Sequence, residues 1–116
     1  MYDNSNIFSK ILKNEIPCDK VYEDEISLFF NDINPQAKIH VLGIPKFQCI
    51  DYSDFIHKAT NETIISFFKS VEVVIDKLNI RDRGFRIITN SGSDGGQEVP
   101  HFHVHILGGE KIGSIR

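Results

Sequence analysis

A strict alternation of histidine and apolar residues near the end of the chain constrains the fold more than any other feature. Residues 101–107 read His-Phe-His-Val-His-Ile-Leu. Because successive side chains of a β-strand point to opposite faces, this pattern predicts a strand over residues 101–107. His101, His103 and His105 share one face of that strand, and the apolar residues between them face the core.

The rest of the chain predicts helices and further strands around this segment. Its 116 residues fit one domain spanning residues 1–116. Apolar periodicity and turn residues predict, in order, a helix over 5–14 capped by Ser5, a hairpin of residues 21–22 and 26–30, a strand over 39–44 buried on both faces, a helix over 60–79, a strand over 84–89 and a glycine-rich loop over 90–96. Short connections between neighbouring strands favour antiparallel pairing, so the predicted fold class is α+β with two main helices.

Charge and hydropathy argue against two classes of partner. The formal net charge of −3 opposes binding to long nucleic acid, which depends on many Lys and Arg contacts to phosphate. One nucleotide remains compatible, since backbone N–H groups can hold a single phosphate. No apolar run approaches the ~20 residues that span a bilayer, the first residues do not resemble a signal peptide, and Cys18 and Cys49 do not form a C-x-x-C pair. We therefore expect no membrane partner, two buried free thiols and a cytoplasmic location.

Three interpretations of the histidine pattern compete on chemical grounds. The imidazoles could be incidental residues of a packed or solvated strand face. They could bind a metal, since neutral imidazole is a common zinc ligand. Three same-face residues of one strand are spread over ~13 Å, however, which is too far to converge on one ion. One imidazole could instead act as a nucleophile while its neighbours orient it.

Phosphorus chemistry fits the third interpretation best. Neutral imidazole is a good nucleophile near neutral pH, because its unperturbed pKa is ~6.5. Attack on phosphorus also needs hydrogen-bond donors around the developing charge. The loop Asn-Ser-Gly-Ser-Asp-Gly-Gly-Gln-Glu-Val, residues 90–99, directly precedes the histidines. Most glycine-rich loops are only turns, but glycines also let backbone N–H groups approach an anion closely. Beside three histidines, this loop is a candidate phosphate cradle.

The sequence resembles the histidine triad (HIT) family, and its Hint branch most of all. The family motif is H-φ-H-φ-H-φ-φ, with φ apolar, and residues 101–107 match it in full. The loop over 90–99 also resembles that branch. So do three earlier segments, which read Ile7-Phe8-x-x-Ile11 with Glu15-Ile16-Pro17, Phe30-Asn-Asp32-Ile33-Asn-Pro35, and His40-Val-Leu42-x-Ile44-Pro45-Lys46. Together these segments extend from about Ile7 to Gly109.

The resemblance implies a fold, a reaction and a set of catalytic residues. The fold is a five-stranded antiparallel sheet that dimerises into a ten-stranded sheet. The reaction is hydrolysis of purine nucleoside phosphoramidates such as adenosine 5′-phosphoramidate, so the partners are an AMP-like nucleotide and a second copy of the chain. His103 would attack phosphorus and form a nucleotidyl-histidine intermediate, which water would hydrolyse. His101 and His105 would contact phosphate or orient the nucleophile, and His40 matches the family's fourth histidine.

Nucleotide-binding positions carry over from the resemblance in the same way. The loop positions at or beside the phosphate are Asn90, Gly96, Gln97, Glu98 and Val99. Asp32 matches the residue that hydrogen-bonds the ribose hydroxyls. The apolar walls of the base pocket match Phe8, Ile11, Phe30, Ile33 and Leu42. From the residues alone, simple core packing is the favoured interpretation for these five, and Asp32 could equally be a turn carboxylate or a functional one. The zinc-binding cysteines of other HIT branches are absent from the sequence, so we expect no metal and no cofactor.

Some positions depart from the Hint pattern, and other functions remain open. Glu98 stands where many Hint proteins have Ser or Thr, whose hydroxyl can assist the leaving group. Pro100 stands where an aromatic is usual and has no N–H for strand pairing. The sequence ends at Arg116 without the Trp- and Pro-bearing tail of longer members. The alternatives are a dinucleoside polyphosphate hydrolase of the Fhit-like type, a non-catalytic nucleotide-binding regulator and, last, a metal-binding protein.

Overall fold

A computed structural model describes residues 1–115 of the chain. Its helices and strands, numbered in chain order, are α1 Ile7–Leu12, β1 Lys20–Glu23, β2 Ser27–Asn31, β3 Ile39–Pro45, α2 Tyr52–Lys58, α3 Asn61–Lys77, β4 Arg86–Ile88 and β5 Val104–Gly108. Within this range, no helix has the length and apolar character needed to cross a lipid bilayer. Both cysteines are free, as predicted, although only Cys49 is buried and Cys18 is partly exposed.

The five strands form one antiparallel sheet in the order β1-β2-β3-β5-β4. The predicted α+β class with a five-stranded antiparallel sheet is therefore confirmed. β3 lies at the centre of the sheet, and all of its residues after Ile39 are buried, as its apolar sequence predicted. Its pairing with β5 sets Leu42 opposite His105. β1 and β4 form the two edges of the sheet.

The two faces of the sheet carry separate apolar clusters. One face packs against α2 and α3 and includes Val41, Val104 and Ile106 of the central strands. The other face packs against α1, where Phe8, Ile11, Phe30 and Leu42 come together. Alternation along β3 and β5 explains this division, because neighbouring side chains of a strand point to opposite faces. The even-numbered His40 of β3 and the odd-numbered His105 of β5 consequently share the face that α1 covers.

The last strand is shorter than the alternation predicts. It begins at Val104, so the prediction of a strand starting at His101 was wrong for residues 101–103. The backbone N–H of His101 donates to the carbonyl of Val99 at 2.8 Å, and the N–H of Phe102 donates to the carbonyl of Cys49 at 2.9 Å. These amides are therefore not available to the sheet, and pairing starts only at residue 104.

Three other elements differ from their prediction. Asn6, not Ser5, caps α1, because its side chain accepts the backbone N–H of Ser9 at 2.9 Å. The sequence did not predict α2, whose 7 residues are too few and too mixed in character to show a helical period. β4 covers only 3 residues, fewer than the predicted 84–89. α3 is the predicted long helix, and Thr60 caps it.

Candidate active site

A cavity of about 650 Å³ opens on the sheet face that α1 covers. This volume is within the range of small-molecule sites. Most of the residues that the sequence predicts for the site line the cavity, namely His40, His103, His105, Asp32, Ile33, Asn90, Gly96, Glu98, Val99, Phe8, Ile11, Phe30 and Leu42. His101 and Gln97 are not part of its lining. One wall is therefore apolar, and the histidines and the loop over 90–99 form a polar wall.

His103 is held in one orientation by its backbone and aromatic neighbours. Its Nδ1 lies 2.7 Å from the carbonyl oxygen of His101. A carbonyl can only accept a hydrogen bond, so Nδ1 carries the proton and Nε2 carries the lone pair of the neutral ring. The ring of Phe8 packs against the imidazole of His103 in a T-shaped contact, with centroids 4.9 Å apart. These contacts fix both the tautomer and the direction of the imidazole.

His101 lies behind the cavity wall and acts on the site through its carbonyl. Its side chain is fully buried. Its Nε2 donates to the carbonyl of Pro45 at 2.8 Å, so its Nδ1 accepts the hydroxyl proton of Tyr2 at 2.5 Å. Sequence reasoning did not find Tyr2, because it lies 99 residues away and belongs to no recognisable motif. The resemblance implies that His101 contacts phosphate or orients the nucleophile, and its position behind the wall agrees with the second of these roles.

His40 and His105 form a chain of hydrogen bonds with a defined direction. The backbone N–H of Gln36 donates to Nδ1 of His40 at 3.0 Å. Nε2 of His40 therefore carries a proton, which it donates to Nδ1 of His105 at 2.9 Å. His105 is then the tautomer with its proton on Nε2. The arrangement leaves His105 with a hydrogen-bond donor at the cavity, where an anionic oxygen would accept it.

Burial keeps the three cavity imidazoles neutral near neutral pH. It lowers the pKa of His103, against a backbone hydrogen bond and the charges of Asp32 and Glu98. It also lowers the pKa of His40, which the nearby Asp32 partly opposes. The pKa of His105 falls to about 4, because burial and the neighbouring imidazoles both disfavour its cation. Neutral His103 is the form that can act as a nucleophile.

The loop over 90–99 supplies fewer free amides than its glycines suggested. The N–H groups of Gly96 and Gln97 bond to carbonyls within the loop. The side chain of Gln97 bonds to backbone groups of Gly92, Ile50 and Val99, so it shapes the loop and does not enter the cavity. Among residues 1–115, the backbone N–H groups of Glu98 and Val99 donate to no backbone carbonyl, so these two amides are free to bind an anion.

One set of side chains approaches the spacing of a metal site. Ligand atoms of Asp32, His40 and His105 all lie within 4.8 Å of one another. The carboxylate of Asp32 is 3.4 Å from Nε2 of His40. The Gln36 N–H, however, occupies Nδ1 of His40 and leaves the proton on Nε2, so His40 offers no lone pair to a cation here. The arrangement suits hydrogen bonding better than coordination of a cation.

Comparison with known proteins identifies the family. The sequence profile of the HIT domain matches residues 13–112. An uncharacterized 13.2 kDa HIT-like protein of Azospirillum brasilense is 46% identical over 114 residues, which cover 98% of this chain and 93% of that protein. The chain therefore belongs to the HIT family.

Two further relatives agree with this assignment. The purine nucleoside phosphoramidase of Escherichia coli is 41% identical over 110 residues, which cover 94% of this chain and 91% of that enzyme. A solved histidine triad protein from Clostridium difficile superposes with a TM-score of 0.88 at 40% identity, and the match covers 100% of both chains.

Proposed function

We propose that this HIT family hydrolase acts on purine nucleoside phosphoramidates, with His103 as its nucleophile. The observation that carries the proposal is the tautomer of His103. The carbonyl of His101 holds Nδ1–H at 2.7 Å and leaves the lone pair of Nε2 for phosphorus. The name of the Escherichia coli relative, purine nucleoside phosphoramidase, supports the choice of substrate.

The walls of the cavity suit the parts of a nucleoside phosphoramidate. A purine base fits the apolar wall that contains Phe8 and Phe30. The carboxylate of Asp32 lines the same cavity and can accept hydrogen bonds from ribose hydroxyls. The phosphoryl oxygens then face the Nε2–H of His105 and the free amides of Glu98 and Val99. This placement brings phosphorus to the nucleophilic nitrogen.

The reaction then proceeds in two displacements. In the first, Nε2 of His103 forms a bond to phosphorus, the P–N bond of the substrate breaks, and the amine leaves with a proton from water. In the second, the remaining hydroxide attacks phosphorus, and the bond to His103 breaks. The products are the amine and the nucleoside monophosphate. His103 keeps its proton on Nδ1 throughout, because the His101 carbonyl accepts it in every state.

The charge of the cavity favours a phosphoramidate over a dinucleoside polyphosphate. In the part of the chain that the structure describes, the lining includes Asp19, Asp32 and Glu98 and contains no Lys or Arg. A phosphoramidate presents one negative charge, which amides and a neutral imidazole can solvate. A polyphosphate chain presents several, and it would meet three carboxylates without a compensating cation. The Fhit-like alternative is therefore the less favoured one.

The decisive experiment looks for the covalent intermediate. Parent protein and the His103→Ala variant are mixed with adenosine 5′-phosphoramidate, quenched and analysed by mass spectrometry. We expect AMP attached to His103 in the parent only, and loss of turnover in the variant without loss of folding. His57→Ala is the control, because His57 is exposed outside the cavity.

Three other results would lead to different conclusions. Equal turnover by His103→Ala and the parent would refute the nucleophile assignment. AMP binding by the parent without turnover above the His103→Ala level would indicate a nucleotide-binding regulator. Faster cleavage of a dinucleoside polyphosphate than of the phosphoramidate would favour the Fhit-like alternative.

We also propose that two copies pair through β4 and form a ten-stranded sheet. β4 is an edge strand with unpaired backbone groups on one side. Ile87 on this strand and Ile65 and Val73 on α3 are exposed apolar residues, which a partner could cover. Sedimentation of the parent and of an Ile87→Lys variant tests this. A parent that sediments as a monomer would refute the dimer.

We further propose a cytoplasmic location. The two free thiols support it, because the cytoplasm keeps thiols reduced.

A further inference from the structure

The charge of the cavity also bears on the part of the substrate that leaves. The acidic residues of its lining are Asp19, Asp32 and Glu98, and within the described residues 1–115 the lining contains no Lys or Arg. His40, His103 and His105 do not compensate, because burial holds them neutral near neutral pH. The cavity therefore presents a negative potential to any group that enters it.

Glu98 is the carboxylate best placed to act on the leaving group. It belongs to the loop that forms the polar wall, it is an exposed residue of the cavity lining, and its charge acts on the imidazole of His103. An in-line displacement puts the departing amine on the side of phosphorus opposite the attacking Nε2. With the purine against the apolar wall, the amine departs on the polar side of the cavity, and Glu98 is the only one of the three acids that belongs to the loop on this side.

We propose that Glu98 makes the site selective for phosphoramidates whose leaving amine carries a second, positively charged group, as a diamine or a lysine-like side chain does. The inference rests on the proposed function and names its substrate class. The bond changes are those of the first displacement, since Glu98 takes no proton and forms no bond. Its carboxylate attracts a cation on the departing amine and repels an anion.

The size of the effect follows from the exposure of the carboxylate. Two unit charges about 6 Å apart in water interact strongly enough to change a rate about threefold. Attraction of a cation and repulsion of an anion together give about a tenfold ratio between matched substrates. Salt screens exposed charges, so the ratio should shrink as ionic strength rises.

Three AMP phosphoramidates with amines of equal length test the proposal. Their leaving amines are diaminopropane, aminopropanol and beta-alanine, which end in a cation, a neutral hydroxyl and an anion. We measure kcat/KM for the parent, for Glu98→Gln and for Asp94→Asn. Asp94 is the matched control, because it is an exposed acid of the same loop that does not line the cavity.

The expected result is a cation-to-anion ratio of about ten in the parent and in Asp94→Asn at low salt, and a severalfold smaller ratio in Glu98→Gln. Equal ratios in the parent and Glu98→Gln would overturn the role of Glu98. If the parent hydrolyses the neutral substrate and His103→Ala does not, the proposed function holds even when the role of Glu98 is refuted. Absence of hydrolysis of all three substrates would refute both.

Discussion

Acid should destabilise the folded chain through one buried histidine. His101 is fully buried, and burial lowers its pKa to about 4, against the hydrogen bond to Pro45. The unfolded chain binds a proton at this residue near pH ~6.5. Between these two pKa values the unfolded state holds more protons than the folded state. The stability that neutral His101 contributes is therefore complete above the unfolded pKa and is lost progressively as pH falls toward about 4.

The expected loss can be worked out from the two pKa values. For one site, proton linkage between about 6.5 and about 4 gives a loss of about 2 kcal/mol on going from about pH 7 to about pH 5. His101→Gln removes this titration and keeps both side-chain hydrogen bonds, since Gln can donate to the Pro45 carbonyl and accept from Tyr2. The variant should therefore lose about 2 kcal/mol less than the parent over the same interval.

Chemical denaturation at the two pH values, at one fixed protein concentration, measures the difference. His57→Gln is the control, because the side chain of His57 is exposed and bonds only to the carbonyl of Ser53. It should follow the parent. If the parent and His101→Gln lose the same free energy of unfolding between the two pH values, the attribution to His101 is wrong.

Three further substitutions have defined outcomes. Tyr2→Phe leaves Nδ1 of the fully buried His101 without its donor, and should lower the free energy of unfolding by about 1–3 kcal/mol, measured by denaturant titration. Gly43→Ala places a Cβ 2.3 Å from a ring carbon of Phe29. It should lower stability by about 1–3 kcal/mol, which a thermal melt reports. His40→Ala should reduce kcat less than loss of the nucleophile does, because His40 acts through His105.

Each of these three predictions can be checked against a second variant. Tyr52→Phe alters an exposed tyrosine and should leave stability unchanged, so an equal loss in Tyr2→Phe and Tyr52→Phe would deny the buried hydrogen bond its role. Gly113→Ala adds a Cβ with no atom within 4 Å, and it should melt with the parent. A kcat for His40→Ala as low as that for His103→Ala would make His40 indispensable, contrary to its indirect position.

Two-residue periodicity predicted the parts of the fold that depend on local geometry. It placed His40 and Leu42 on one face of β3 and Val41 on the other, which is the division between the two clusters. It failed at residues 101–103, because their backbone amides bond to Val99 and Cys49. The periodicity of side chains does not predict which carbonyl accepts the hydrogen bond of a given backbone amide.

For the candidate site too, the sequence predicted most of the residues but not the contacts that orient them. Family motifs brought most of the cavity lining together, whereas the contacts that orient it came only with the structure. The amide of Gln36 fixes the tautomer of His40, and the hydroxyl of Tyr2 donates to the buried Nδ1 of His101. The first is a backbone group, which no residue type reveals. The second lies 99 residues from its partner, and proximity of that kind follows from the tertiary fold.

The irregular backbone before β5 is a condition of the proposed chemistry. In a regular strand, carbonyls point along the sheet to neighbouring strands, while side chains stand perpendicular to it. The imidazole of His103 could not then reach the carbonyl two residues earlier. Because the amides of residues 101 and 102 bond outside the sheet, the carbonyl of His101 turns to Nδ1 of His103. Tyr2 and Pro45 hold the His101 ring from both nitrogens and keep this carbonyl in place. The first histidine of the motif thus serves the second through its main chain, and its buried side chain anchors that main chain.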